Sequence, residues 1–227
     1  MMEPFTVVDR FFHSSNELTD MIMTGERDIN TLNSFLTNLH SLNDRLNKEF
    51  SISLSAYPEF KLLRMIRNYM HHQGDVDDVR VYVTLNQFSL SHAELIIIPT
   101  AVVARALLSF QQHSKSKPDL YRKEVDAISG FIDGFNLIEE DAERFGADPE
   151  FVINNEKVKP GFDIFKSVYN ITNIIADICR DNPILAEKKC VIDLSSDHAT
   201  TNKIEKYNMQ TLPGVEPILT TKGYILR

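Results

Sequence analysis

Hydrophobic residues recur at intervals of three and four along much of this chain, which is the spacing of one face of an α-helix. Ser14 to Glu17 fits a capping box that opens a short helix ending at Gly25. Capping residues such as Thr100, glycine or proline bound four later apolar patterns, which predict helices over residues 58–73, 100–113, 119–145 and 164–180. The pattern is clearest over residues 26–50, in Ile29, Leu32, Phe35, Leu36, Leu39, Leu42, Leu46 and Phe50.

One segment follows a different period. Residues 79–85 alternate valine or leucine with polar or aromatic side chains, which is typical of a half-buried strand. Residues 94–98 can pair with this strand across the intervening turn. We therefore expect a small β-hairpin directly after the helix that ends near Gln73 and Gly74.

The last part of the chain, residues 184–227, is weakly patterned. Cys190 to Leu194 can form a strand, and Thr221 to Tyr224 can form a turn. The sequence shows no internal repeat or interdomain linker, and 227 residues suffice for a sizeable core. We interpret residues 1–227 as a single mainly helical domain, with residues 184–227 as a candidate C-terminal extension.

Composition indicates a globular protein, with 43% hydrophobic and 25% charged residues. The longest uncharged apolar run, Leu95 to Val103, is about half of what a membrane span needs. The N-terminal residues lack the pattern of a secretory signal. Cys179 and Cys190 have no metal-binding or CxxC spacing. We expect a cytoplasmic protein with reduced thiols, no metal, no cofactor and no membrane contact.

Charge limits the partners that the chain can bind. The net charge is −8 at pH 7 and the pI is about 5.4, which argues against a broad electrostatic interaction with nucleic acid. A polyanion must therefore bind at a local basic surface.

Such a surface is predicted on the helix over residues 58–73. Successive side chains turn by about 100° around a helix, so the apolar residues fall on one side. Ordinary solvated faces mix acids with bases, because a Glu four residues before a Lys supports a helix. The other side of this helix instead combines bases, an amide and imidazoles without a carboxylate, which suits a phosphate group. We call it the cationic face: Lys61, Arg64, Arg67, Asn68, His71 and His72.

Arg67, Asn68 and His72 also form a sequence motif, Arg-Asn-x3-His. With these residues the chain resembles the HEPN superfamily (higher eukaryotes and prokaryotes nucleotide-binding). Its members are small all-α proteins with an Arg-x4-6-His signature, in which Asn, Asp or His is favoured after the Arg. His71 satisfies the same spacing from Arg64, so the choice between the two adjacent histidines stays open. The resemblance implies an HEPN-like helical bundle, here with a small β-hairpin inserted after the helix that carries the motif.

The resemblance further implies a metal-independent endoribonuclease that cleaves RNA by attack of the 2′-hydroxyl. Such a reaction needs a base for the 2′-hydroxyl proton, an acid for the leaving 5′-oxygen and positive charge beside the phosphate. Imidazoles titrate near neutral pH, which suits His72 to the role of base. The guanidinium of Arg67 is always charged and suits the phosphate, and Asn68 can orient either group.

The remaining members of the cationic face, Lys61, Arg64 and His71, are expected to bind RNA phosphates. In active HEPN proteins, two paired subunits direct their motifs into one composite cleft, which implies a homodimer and a second histidine from the partner. HEPN ribonucleases of this kind serve in toxin–antitoxin and phage-defence systems. The resemblance therefore also implies an antitoxin or another regulatory protein as a partner.

Two other interpretations stay open. Both adjacent histidines can simply complement the negative end of the helix dipole, with Arg64 and Arg67 paired to some of the 32 acidic residues. Alternatively, the chain is a non-catalytic HEPN-like module that binds a nucleotide or a protein through the cationic face. Four further histidines lack partners close in sequence and are expected to be structural: His13, His40, His92 and His113.

Overall fold

The structure is a computed structural model that describes most of the chain. Gly25, Gly74 and residues 26–29 and 84–87, on which some of the sequence predictions fall, lie outside the described residues. The described residues are 6–20, 30–73, 76, 78–83, 88–90, 92–153, 155–205, 209–211, 213–214 and 216–226.

Helices dominate the described residues, which confirms the prediction of a mainly α fold. The helices are α1 Thr6–Thr19, α2 Asn30–Phe50, α3 Pro58–Gln73, α4 Thr100–His113, α5 Pro118–Ser129, α6 Phe135–Glu140, α7 Ala142–Gly146, α8 Phe165–Asp181, α9 Pro183–Ala186 and α10 Lys189–Ile192. The strands are β1 Val79–Tyr82, β2 Phe88–Leu90, β3 Glu94–Pro99, β4 Phe151–Ile153, β5 Glu156–Val158, β6 Gly161–Asp163, β7 Met209–Thr211, β8 Pro217–Thr220 and β9 Gly223–Leu226.

Three sequence predictions of helices need correction. The first helix begins at Thr6, so Ser14 and Ser15 lie inside it as buried residues and do not cap it. The helix predicted over 119–145 is three helices, because the chain turns between Gly130 and Gly134, where φ of Gly134 is +76°, and breaks again at Asp141, where φ is −133°. Thr100 begins α4 without capping it, since no side chain caps this helix.

The predicted strand from Cys190 to Leu194 is wrong, because residues 189–192 form the helix α10. Val191 is buried in the core from this single helical turn. The helix before it, α9, begins where the side chain of Asn182 accepts hydrogen bonds from two backbone amides and Pro183 occupies the first turn. That side-chain cap belongs to α9, and no side chain caps α10, so the short apolar run forms helix because burial of Val191 outweighs its β-like composition.

The predicted hairpin exists, but it belongs to a larger sheet. β1 and β3 pair antiparallel, with Val79 opposite Ile97. β3 also pairs antiparallel with the distant β6, giving a three-stranded sheet in the order β1-β3-β6. Three more strand pairs form: β2 with β7, β4 with β5, and β8 with β9. The expectation of one small hairpin therefore underestimated the β structure, because these strands are short and several pair across long sequence separations.

One connected group of buried side chains joins the helices. It extends from Val8 in α1 to Val191 in α10, and includes Phe35 of α2, Phe60 of α3 and Ile171 of α8. α3 lies within this arrangement and packs against α2, α4, α5 and α8. Consequently, only a narrow stripe of α3 reaches solvent.

None of the described helices is long and apolar enough to cross a membrane.

Candidate functional site

The structure confirms that α3 has two distinct faces. Leu62, Leu63 and Ile66 are fully buried. On the opposite side, Asn68, His71 and His72 are exposed, and Lys61, Arg64 and Arg67 are partly exposed. The cationic face is therefore the part of α3 that reaches solvent, and its members differ in what they contact.

Arg64 is held by an acid from the next helix in space. Its Nη2 lies 2.7 Å from Oε2 of Glu124 in α5, and its guanidinium carbon lies 5.7 Å from the ring centroid of Phe60. The side chains of Arg64 and Glu124 are only 26% and 15% exposed. Glu124 thus neutralises Arg64 in a semi-buried ion pair, as the structural interpretation of this arginine expects.

Arg67 is paired differently from Arg64. Its Nη1 donates a hydrogen bond to Oδ1 of Asn68 at 3.3 Å. Among the described residues, no carboxylate forms an ion pair with Arg67, so its positive charge is not cancelled locally. Because the amide oxygen of Asn68 accepts from Arg67, the amide nitrogen can donate to another group. The pair thus offers a charge and a hydrogen-bond donor side by side.

His71 and His72 occupy the last turn of α3. Their rings meet edge to face, with centroids 5.3 Å apart and an angle of 65° between the planes. Both side chains are exposed, and no carboxylate in the described part of the chain pairs with either imidazole.

A cleft of about 430 Å³ adjoins one of these two histidines and not the other. It lies between the C-terminal halves of α3 and α4, and we call it the α3–α4 cleft. His72 lines it, whereas His71 does not. The full lining is Met65, Asn68, Tyr69 and His72 from α3, with Ala106, Ser109, Phe110, His113 and Ser114 from α4 and its end.

Only some of the site residues predicted from sequence line the cleft. Asn68 and His72 line it directly, and Arg67 borders it through its hydrogen bond to Asn68. Lys61 and Arg64, expected to bind phosphate, do not line it. Two of the three motif residues therefore line the cleft and the third, Arg67, is hydrogen-bonded to one of them, while Lys61 and Arg64 are not part of its wall.

His113 is a cleft residue that the sequence did not single out. It is exposed at the end of α4, and its Nδ1 lies 2.7 Å from the backbone carbonyl oxygen of Ser109. Sequence offered one signal: the helix predicted over 100–113 ends in histidine, as the helix over 58–73 nearly does. That signal becomes meaningful only when the two helix ends are known to be neighbours.

Three other described histidines lie near acidic side chains. His13 and His40 lie near acids one turn along their own helices, Glu17 at 3.2 Å and Asp44 at 3.6 Å. His92 lies 3.1 Å from the largely buried carboxylate of Asp163. The expectation that these histidines lack partners close in sequence is therefore wrong for His13 and His40, whereas His92 contacts an acid 71 positions away.

Neither cysteine has the character of a nucleophile. Burial raises the pKa of Cys179 to about 12. Burial, assisted by a hydrogen bond and the negative charge of Asp9, likewise raises the pKa of Cys190 to about 12. Both are free thiols and stay protonated at neutral pH, so thiolate chemistry is disfavoured. In the described part of the chain, no group of three or more His, Cys, Asp or Glu side chains is arranged to hold a metal ion.

Two larger cavities, of about 650 and 550 Å³, adjoin the turn between α5 and α6. Lys166, on the wall of the smaller one, donates to the carbonyls of Phe131 and Glu205 and to the carboxylate of Asp133. Since an ammonium has three hydrogens to donate, this lysine is fully occupied in holding the fold. The α3–α4 cleft is therefore the better candidate for chemistry.

No family model matches this chain, and neither a curated protein nor a solved structure shows significant similarity to it. The function is therefore argued from the residues and geometry of the α3–α4 cleft.

Proposed function

We propose that this chain is a metal-independent endoribonuclease of the HEPN type, with Arg67, Asn68 and His72 at its active site. The reaction is attack of an RNA 2′-hydroxyl on the neighbouring phosphate, which leaves a 2′,3′-cyclic phosphate and a 5′-hydroxyl. His72 acts as the base, Arg67 stabilises the charge on the phosphate, and Asn68 positions Arg67 and donates to a phosphate oxygen.

One observation carries the proposal. Two motif residues, Asn68 and His72, line one solvent-open cleft, and the third, Arg67, is hydrogen-bonded to Asn68 at 3.3 Å. A phosphate in this opening can contact a charged fork, an amide donor and an imidazole together. These contacts support cleavage of an RNA phosphodiester at the α3–α4 cleft.

The charges around the cleft define how a phosphate binds there. α3 and α4 both end at the cleft, and helix C-termini carry partial negative charge that disfavours anions. Binding of RNA therefore depends on the positive charge of Arg67 and on the imidazoles of the cleft when they are protonated. This makes Arg67 the residue whose loss should most weaken RNA binding.

The walls of the cleft favour single-stranded RNA. Tyr69 and Phe110 line it and are both partly exposed. Unstacked bases commonly bind by stacking on aromatic rings, which paired bases in a duplex cannot do. A volume of about 430 Å³ falls in the range of small-ligand pockets, which suits a nucleotide rather than a helix.

The proposal extends to the biological setting that the family resemblance implies. A ribonuclease of this kind would act in the cytoplasm as a toxin or phage-defence effector, as a homodimer restrained by an antitoxin or another regulatory protein. These roles follow from the resemblance alone, and no described contact bears on them.

The deciding experiment is incubation of the purified chain with a mixed single-stranded RNA in excess EDTA. Wild-type protein should cleave the RNA and leave 2′,3′-cyclic phosphate ends. His72→Ala and Arg67→Ala should each lower the rate by about 100-fold or more, because acid–base and electrostatic groups contribute at least that much. His13→Ala, an exposed helical histidine remote from the motif, is the matched control.

Three outcomes would count against this proposal. RNA that stays intact with wild-type protein would refute the proposed ribonuclease activity. Intact RNA that nevertheless binds, with binding lost in Arg67→Ala, would instead support a non-catalytic nucleic-acid-binding module. Cleavage that continues in 2′-O-methyl RNA would exclude attack by the 2′-hydroxyl.

A further inference from the structure

A second histidine of the same chain shares the α3–α4 cleft with His72. His113 ends α4 and lines the cleft together with Ser109 and Ser114. Its side chain is exposed, and no acid in the described part of the chain pairs with it. The cleft therefore contains two imidazoles, contributed by two different helices.

The hydrogen bond of His113 fixes which of its nitrogens can react. Nδ1 lies 2.7 Å from the carbonyl oxygen of Ser109. Because a carbonyl oxygen only accepts, Nδ1 must carry the hydrogen in both the neutral and the cationic ring. Nε2 is then a proton acceptor in the neutral form and a proton donor in the cationic form, which is the behaviour required of an acid–base catalyst.

We propose that His72 and His113 of one protomer form the acid–base pair of the ribonuclease, so that the site needs no histidine from a second subunit. This inference rests on the proposed function. The neutral imidazole of His72 removes the 2′-hydroxyl proton as the 2′-oxygen bonds to phosphorus. The bond from phosphorus to the 5′-oxygen breaks with its electron pair on that oxygen, and the other imidazole, initially protonated, donates its proton there.

The number of protons is conserved in this step. One proton leaves the 2′-oxygen and one reaches the 5′-oxygen, so the two imidazoles end with exchanged protonation states, which solvent resets. Arg67 keeps its charge throughout and offsets the negative charge that grows on the phosphate. No metal or oxidant is required.

This arrangement differs in a measurable way from a site composed of two facing motifs. A composite site uses a histidine from each of two subunits, so His113 would be dispensable. In the single-protomer site, both His72→Ala and His113→Ala lower the rate, each by about 100-fold or more. His13→Ala leaves the rate unchanged and controls for loss of an exposed helical histidine.

The pH profile distinguishes catalysis from a structural role. Wild-type protein should show a bell-shaped dependence of kcat/KM, because one imidazole must be neutral and the other protonated. His113→Ala should lose one limb of the bell, whereas a variant that merely disturbs α4 would lower the whole curve and keep its shape. Added imidazole should restore part of the activity, since the position is open to solvent.

A substrate with a good leaving group identifies the acid. Uridine 3′-(4-nitrophenyl phosphate) releases a phenolate that needs little protonation. Against this substrate, the variant that lacks the acid should recover most of its lost rate, while the variant that lacks the base should not. Equal losses for both variants on both substrates would contradict a division into acid and base.

Co-expression of His72→Ala with His113→Ala tests the single-protomer site directly. No mixed dimer then holds an intact pair, so activity should stay as low as in each variant alone. Restored cleavage would show that the two histidines come from different subunits and would overturn the inference. Full activity of His113→Ala would overturn the proposed acid–base pair but would be compatible with the proposed ribonuclease function. Inactive wild-type protein would refute both proposals.

Discussion

Arg64 and Arg67 stand one turn apart on the same face of α3, yet their neighbours give them different roles. Glu124 lies 2.7 Å from Arg64, while Arg67 bonds to the neutral amide of Asn68. The first arginine joins two helices, and the second keeps its charge beside Asn68, which lines the α3–α4 cleft. This difference cannot be seen in the sequence, because Glu124 is 60 positions away from Arg64.

We predict that Arg64→Met lowers the free energy of unfolding by about 1 kcal/mol, the scale of a partly exposed ion pair with a charged hydrogen bond. Methionine retains helix propensity, so the loss reports the contact with Glu124. Urea unfolding of Arg64→Met, Glu124→Gln and the double variant measures the coupling. Strictly additive losses would contradict the pair, and Arg67→Met, which has no acidic partner among the described residues, is the matched control.

At the scale of elements, buried hydrogen bonds hold the segment that follows the short 3-10 helix Thr200–Asn202 against the centre of the fold. Asn170 in α8 accepts from the backbone amide of Ile204 at 2.9 Å and donates to its carbonyl at 3.0 Å. Asn170 is fully buried, as is Glu59 of α3, whose Oε1 lies 3.2 Å from Nζ of Lys203. Residues 203–204 thus cross the ends of α3 and α8 and are held by both.

Asn170→Leu should therefore destabilise the protein by about 2 kcal/mol or more, because it leaves the amide and carbonyl of Ile204 without their buried partner. Asn202→Ala, an exposed change in the same segment, should cost only about 0.5 kcal/mol. Chemical unfolding followed by far-UV circular dichroism measures both values. A similar loss in the two variants would show that the bonds to Asn170 are not limiting for stability.

Prediction from sequence succeeded for elements with a long, regular apolar pattern. α3 and α4 have the predicted bounds, and their apolar faces are buried as expected. The pattern failed over 119–145, where the turn at Gly134 depends on a positive φ that periodicity does not reveal. It also missed strands of three residues such as β6, whose pairing with β3 joins segments far apart in sequence.

At the scale of the whole molecule, the last helices share the core of the first. Leu185 of α9 and Val191 of α10 are buried in the same connected group as Val8 and Phe11 of α1. Lys188 also forms an ion pair with Asp9 of α1, with Nζ and Oδ2 3.2 Å apart. The two ends of the helical part of the chain are therefore in contact.

We predict that α9 and α10 unfold together with α8 as one cooperative unit. In native-state hydrogen exchange with mass spectrometry, peptides covering residues 183–192 should show the same opening free energy as peptides from α8. The exposed β4 and β5 pair, in which Val152 is 70% exposed, should open more easily and serves as the internal contrast. Easier opening of residues 183–192 would instead identify them as part of a separate C-terminal extension.

The sequence by itself determined the helical character of the chain, the bounds of its most regular helices and the two faces of α3, because these depend on the local spacing of side chains. It also contains the motif of Arg67, Asn68 and His72, with His71 as the alternative to His72. Only the tertiary structure decided that Glu124 neutralises Arg64, that His72 rather than His71 lines the α3–α4 cleft, and that His113 lines it too. These facts depend on which helix ends become neighbours, and that is set by packing between residues distant in the chain.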